Sequence, residues 1–241
     1  MLRLVLAVVL IGYLPGALLF RWPVANRDRR AAIGADERVF WYVILSVAWS
    51  LAVVLSLAAL DLYRFDWLLG VNSVFALVSA GAFRGRLRYG PAAARPAWTV
   101  LLPIALLALG VWRFFPSAEY IIGGKDPGVY ISEGIQLAKQ GSLVIREPIV
   151  AAVPAGSRDL FFPSHKTSEY YGNRFMGFFL QDPAAGQSVG QFPHLYPASI
   201  AIGYAIDGLT GARGTVGVWA ILGLLAVYFA GARLMLSLIH I

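Results

Sequence analysis

The chain has 241 residues, 59% of them hydrophobic and only 14% charged, with a mean hydropathy of +0.68. Soluble domains carry roughly 25% charged residues, so this is the composition of an integral membrane protein. Basic residues exceed acidic ones by 20 to 13, and 17 of the 20 are Arg. Most of them punctuate short connections between apolar runs instead of lining one surface, which argues against nucleic acid as a partner. With no Cys, disulfides, zinc thiolates and thiol nucleophiles are excluded, and no compartment is selected. The Ala- and Arg-rich usage goes with a GC-rich bacterial genome.

A helix needs about 20 apolar residues to cross a bilayer's hydrocarbon core. Six segments qualify: Leu2 to Phe20, Val39 to Leu60, Trp67 to Phe83, Ala97 to Phe115, His194 to Gly208 and Thr215 to Ala232. The first is longer than a signal-peptide core and is followed by Arg21-Trp22-Pro23 instead of a small-residue cleavage site, so it reads as a retained helix. Pro15-Gly16 predicts a kink within it.

Residues 21–38 carry Arg21, Arg27, Arg29, Arg30 and Arg38, and residues 84–96 carry Arg84, Arg86, Arg88 and Arg95. The connection from Asp61 to Asp66 has only Arg64 against two aspartates. The positive-inside rule puts the two Arg-rich loops in the cytoplasm. Helix parity then puts the N-terminus and residues 116–193 outside.

Four regions follow from this pattern. Residues 1–96 form an N-terminal three-helix membrane module, 97–115 lead into a polar motif, 116–193 form a long extracytoplasmic loop, and 194–241 hold two more membrane helices. The chain stops at Ile241 without a C-terminal loop or basic anchor, which suggests further helices beyond it.

The external segment opens on Gly123-Gly124-Lys125-Asp126-Pro127-Gly128-Val129-Tyr130. From Pro127 to Gln140 the apolar residues Tyr130, Ile131, Ile135, Leu137 and Ala138 recur at helical spacing, and Gly141 stands where a helix should stop. A short amphipathic helix is expected there, lying at the interface on lipid or on the tops of other helices. Ser142 to Arg146 reads as a short strand, and Pro154 to Pro193 as irregular external structure.

Asp126 supports two compatible readings. Asp before Pro is a preferred helix start, and a carboxylate at a helix N-terminus stays ionised beside the positive dipole end. Such a carboxylate can also serve as a general base for a hydroxyl nucleophile.

The Gly-Gly-Lys-Asp-Pro-Gly-Val-Tyr motif, the helix ending in Leu137-Ala138-Lys139-Gln140-Gly141-Ser142-Leu143, and the re-entry Gln191-Phe192-Pro193-His194-Leu195-Tyr196-Pro197 follow one another over about residues 97–232. This order resembles the polyprenyl-phosphate-dependent glycosyltransferases of the GT-C fold, related to protein O-mannosyltransferases and aminoarabinose transferases.

The resemblance implies an all-α polytopic membrane protein of the bacterial inner membrane. It would move a sugar, with inversion, from a polyprenyl-phosphate donor to an external lipid, glycan or protein acceptor. Asp126 would be the catalytic base. Some members carry two adjacent acids at this motif, whereas here Pro127 follows Asp126, and Glu169 or Asp182 would have to supply a second acid.

The phosphate of such a donor needs cationic neighbours, and Lys125, Arg158, Lys166 and Arg174 are eligible. Tyr130 and His194 are further candidates for substrate contact, although an aromatic or His at a membrane entry also anchors helix ends. His165 and Glu169 share the i,i+4 spacing of metal ligands, but two candidates without a third read better as a solvated pair. No metal site is assigned, and a divalent metal stays open. No nucleotide cofactor is expected, since the chain lacks G-x-x-x-x-G-K-[ST].

The aromatics Phe161, Phe162, Tyr170, Tyr171, Phe175, Phe178 and Phe179 suit either a sugar or prenyl platform or the small core of the external segment. Asp207 lies beside Gly208 where the fifth span should end, so it is expected to reach water. Two other classes compete: a transporter or flippase for a lipid-linked sugar, which would need paired ionisable residues deep in several spans, and a non-catalytic membrane assembly subunit in which Asp126 only starts a helix.

Overall fold

The computed structural model describes residues 2–24, 26–88, 92, 97–115, 126–162, 174–175 and 177–239. Helices dominate, and four of them are long and apolar enough to cross a membrane. The chain divides into two compact units. One comprises 1–50, 68–117 and 214–241, and the other 51–67 and 118–213.

The first unit begins with α1 (Leu2–Leu10) and α2 (Leu14–Arg21), which together form an apolar span from Leu4 to Arg21. The expected break falls at residues 11–13, one turn before Pro15. Its cause is chemical: Pro15 has no N–H to offer the carbonyl of Ile11. That carbonyl accepts instead from Ser50 Oγ at 3.3 Å, and the neighbouring carbonyl of Leu10 accepts from Asn72 Nδ2 at 2.9 Å.

Asn72, fully buried, also donates to Ser50 Oγ at 2.9 Å and accepts from Trp49 Nε1 at 3.0 Å. A broken helix in an apolar setting thus has its freed backbone groups satisfied by side chains of its neighbours, as membrane burial requires. Those neighbours are α4 (Ala35–Ala59) and α5 (Phe65–Ala82), of 25 and 18 residues.

Between α2 and α4 lies α3 (Arg27–Ala31), where the Arg-rich loop is held by its own cations. Arg30 donates to the carbonyls of Phe20, Trp22 and Val24, satisfying the end of α2. Arg27 Nη2 reaches the carbonyl of Arg88 at 2.9 Å and also that of Arg86, so the two Arg-rich loops meet at one end of this unit.

The fourth expected span appears as α6 (Leu101–Phe114), an apolar helix of 14 residues. At 1.5 Å per residue it is about 21 Å long, short of the roughly 30 Å core. The fifth and sixth expected spans run together as α10 (Leu195–Ile239), 45 residues interrupted at Asp207 and Gly208, whose backbone is non-helical. Asp207 is exposed at that break, as its sequence neighbours suggested. Large apolar side chains such as Leu77, Leu101, Trp112 and Val227 are exposed on these helices. Such outward apolar faces fit a lipid bilayer.

The second unit is built on α7 (Asp126–Gln140). Its apolar face is buried in protein: Ile131 and Ile135 pack with Ile200 and Ala212, flanked by Tyr130, Tyr196 and Tyr204. Gly141 ends the helix in the left-handed conformation (φ 74°) that glycine adopts without a Cβ penalty, its N–H returning to the Leu137 carbonyl at 2.9 Å. The connection after α4 docks on this end through Tyr63 N–H to the Gly141 carbonyl at 3.0 Å and Leu143 N–H to the Ala58 carbonyl at 3.2 Å.

Beyond it the expected strand is confined to β1 (Ile145–Arg146), followed by two single-turn helices, α8 (Pro148–Ala151) and α9 (Arg158–Phe161). Residues 154–193, expected to be irregular, instead supply β2 (Arg174–Phe175), β3 (Phe178–Asp182) and β4 (Gln187–Gly190). With β1 they make an antiparallel sheet in the order β1-β4-β3-β2. Val150, Phe162 and Leu180 form its small core. Membership of Phe162 in that core is the structural role allowed for in the sequence.

Candidate functional site

Asp126 is the first residue of α7, one position inside the helix from the N-cap expected of it, and is exposed. With 3.6 residues per turn, Tyr130 and Glu133 fall on the same face as Asp126, one and two turns further along. Asp126 and Glu133 are therefore about 10 Å apart along the axis.

The segment that opens α10 covers this face. Tyr130 packs on Phe192 with ring centroids 4.8 Å apart and meets Tyr196 edge to face at 5.5 Å. Between those two aromatics in sequence, His194 Nδ1 pairs with Glu133 Oε1.

Glu133 is the residue that sequence reasoning overlooked. Its side chain is only 3% exposed, in the middle of an otherwise apolar face. A buried carboxylate is costly unless paired, and His194 is its partner. The hydrogen bond that His194 Nδ1–H donates to Glu133, helped by the negative charge of the carboxylate, raises the His194 pKa above 6.5 against the opposing effect of burial. Glu133 Oε2 is buried and has no hydrogen-bond partner among the described residues.

Gly190, the last residue of β4, lies directly against this oxygen. A Cβ there would come within 1.9 Å of Oε2, so only glycine leaves room for the carboxylate. The available signal was Glu133 itself, placed three residues after Tyr130 and four before Leu137 on a stripe that should be apolar.

The other candidates separate. Arg158 starts α9 and gives its Nε to the carbonyl of Val153 at 3.3 Å. Arg174 belongs to β2. Asp182 closes the β3–β4 turn, accepting from the N–H groups of Ala184 at 2.9 Å and Ala185 at 3.1 Å. Lys125, His165, Lys166 and Glu169 lie outside the described residues, as do Tyr170 and Tyr171.

No protein-family model, curated protein or solved structure matches the chain. Function therefore has to be argued from the face of α7. Among the described residues, no group of three or more His, Asp or Glu side chains comes together as a metal site would require. What the face does offer is an exposed carboxylate, an aromatic cluster beside it, and a carboxylate-held imidazole one further turn along.

Proposed function

We propose that the protein is a membrane glycosyltransferase that transfers a sugar from a polyprenyl-phosphate donor to an extracytoplasmic acceptor, with inversion and with Asp126 as base. The observation that carries this reading is the shared face of α7 on which exposed Asp126, Tyr130 and the Glu133–His194 pair follow one another. An acceptor hydroxyl is a weak nucleophile until its proton is taken in concert with bond formation. Asp126, ionised beside the positive end of the helix dipole, is suited to that role.

On the other side of the reacting carbon, charge builds on the departing phosphate oxygen. His194, whose pKa is raised by its pairing with Glu133, is the group on this face suited to offset it as a cation. The rise of about 10 Å along the helix from Asp126 to Glu133 is on the same scale as the roughly 6.5–9.5 Å that separates paired carboxylates in inverting glycosidases. Tyr130 and Phe192, between the two ends, offer the flat apolar surface on which a pyranose ring packs.

The four apolar helices support a lipid-linked donor, because its prenyl tail must stay in the bilayer while its phosphate reaches the interface. The meeting of the two Arg-rich loops supports placing them together, on the cytoplasmic side by the positive-inside rule. Residues 126–193 would then face outward at a bacterial inner membrane.

The test is sugar transfer from lipid-phosphate donor in membranes containing the full-length protein. Asp126→Asn should lower the rate by about a hundredfold or more, the lower range for loss of a general base. Transfer at the wild-type rate, with the variant inserted normally, would sink the assignment.

A further inference from the structure

We infer that the second unit carries a separate saccharide-binding cleft at the C-terminal end of α7. The cleft has a volume of about 410 Å³ and is lined by Asp61, Gln140, Ser142, Arg146, Gln181 and Gln187, with a single valine. Its size lies within the roughly 300–1,000 Å³ of small-molecule sites. Unlike most of those it is polar on nearly every side, so a prenyl or acyl chain would leave these groups unpaired.

Its charge selects against two other occupants. One carboxylate and one guanidinium offset each other, so the cleft does not favour a phosphate, which Asp61 would repel. An extended peptide would dock by adding to the edge strand β1. That route is closed at Arg146, whose N–H already donates to Gln140 Oε1 at 2.8 Å and whose carbonyl accepts from Gln140 Nε2 at 3.1 Å.

The groups left uncommitted are those a polyol uses. Ser142 Oγ donates to Asp61 Oδ1 and accepts from the N–H of Val144 at 3.0 Å, which fixes Asp61 at the rim. The second oxygen of Asp61, the guanidinium of Arg146 and the amides of Gln181 and Gln187 have no partner among the described residues. Each amide offers a donor and an acceptor side by side, Arg146 a fork of donors and Asp61 an acceptor. Vicinal hydroxyls, which donate and accept together, match that set.

Fourteen residues of helix separate Gln140 from Asp126, about 21 Å at 1.5 Å per residue, so one monosaccharide cannot occupy both places. The inference rests on the cleft's own residues and does not depend on glycosyl transfer.

The test is saturation-transfer NMR of the full-length protein in nanodiscs, free of sugar detergents. The probes are methyl glycosides of glucose, galactose and mannose at millimolar concentration, with inorganic phosphate as competitor. At least one glycoside should bind, phosphate should not displace it, and Asp126→Asn should bind it equally well. Gln181→Leu, at an exposed position, and Gln187→Leu should each weaken binding about fivefold, the value of one lost hydrogen bond. Binding by none of the glycosides, displacement by phosphate, unchanged affinity in both Gln variants, or loss of binding in Asp126→Asn would each overturn it.

Discussion

Glu133 and His194 show how one buried charge organises its surroundings. The pair raises the folded-state pKa of His194 above the 6.5 expected for an unfolded chain. Its stabilising contribution is therefore complete below about pH 6.5 and is lost as pH rises through the raised value. Thermal scans of wild type and Glu133→Gln should accordingly differ most near about pH 6 and converge toward about pH 9. A constant gap across that range would mean that the pairing carries no charge. Under the proposed glycosyl transfer, the alkaline limb of the rate should move to lower pH in the same variant, because the imidazole loses the carboxylate that raises its pKa.

Gly190→Ala probes the other side of the same carboxylate. The added methyl would lie 1.9 Å from Oε2 and 2.2 Å from Cδ, so Glu133 must leave its place. A loss of about 1–3 kcal/mol is expected from the overpacking, read as a lowered denaturation midpoint. An unchanged midpoint would show that the carboxylate has another place to go. Asp126 stood out as a candidate in the sequence because a polar loop beside an apolar helix is conspicuous. The Glu133–His194 pair was not, since its partners are 61 residues apart and only the fold of the external segment brings them together.

Among elements, those governed by local chemistry were readable in advance. The break near Pro15, the end of α7 at Gly141 and the interruption at Asp207–Gly208 each follow from a residue that cannot continue a helix or favours leaving one. The sheet was hidden because its strands are two to five residues long, too short for alternation to show, and β1 finds its neighbour β4 some forty residues later. Of the two covers expected for the apolar face of α7, lipid or the tops of other helices, the structure supplies the second, Ile200 and Ala212 of α10, since periodicity shows that a face is apolar and not what covers it.

The broken first helix gives the sharpest test at this scale. Asn72→Leu removes the partner of Trp49 Nε1 and of the Leu10 carbonyl together. It should destabilise the protein by about 1–2 kcal/mol, the upper range for side-chain hydrogen bonds within membranes, measured by denaturant titration in micelles. No change would mean that water or a backbone rearrangement satisfies the break equally well.

For the whole molecule, the sequence conveyed its class through composition, and four helices meet the length and apolarity that a bilayer demands. The count of six drawn from apolar runs differs because α6 is short and the last two runs share one broken helix. Orientation can be tested cleanly because the chain has no Cys, so one introduced thiol is unique. Arg29→Cys lies in the Arg-rich loop, and Gly156→Cys sits where a Cβ meets nothing within 4 Å. A membrane-impermeant maleimide added to intact inner-membrane-exposed cells should label the thiol at 156, and that at 29 only after permeabilisation. The reverse pattern would overturn the outward placement of α7.

Asp126 remains the point at which the catalytic and the purely structural readings part. The direct measurement compares transfer of sugar from polyprenyl-phosphate donor by Asp126→Asn and Pro127→Ala, at equal levels in the same membranes. Catalysis by Asp126 predicts a loss of about a hundredfold or more in Asp126→Asn and little change in Pro127→Ala, which disturbs only the first turn of α7. Equal rates in Asp126→Asn and wild type, or equal losses in both variants, would contradict it.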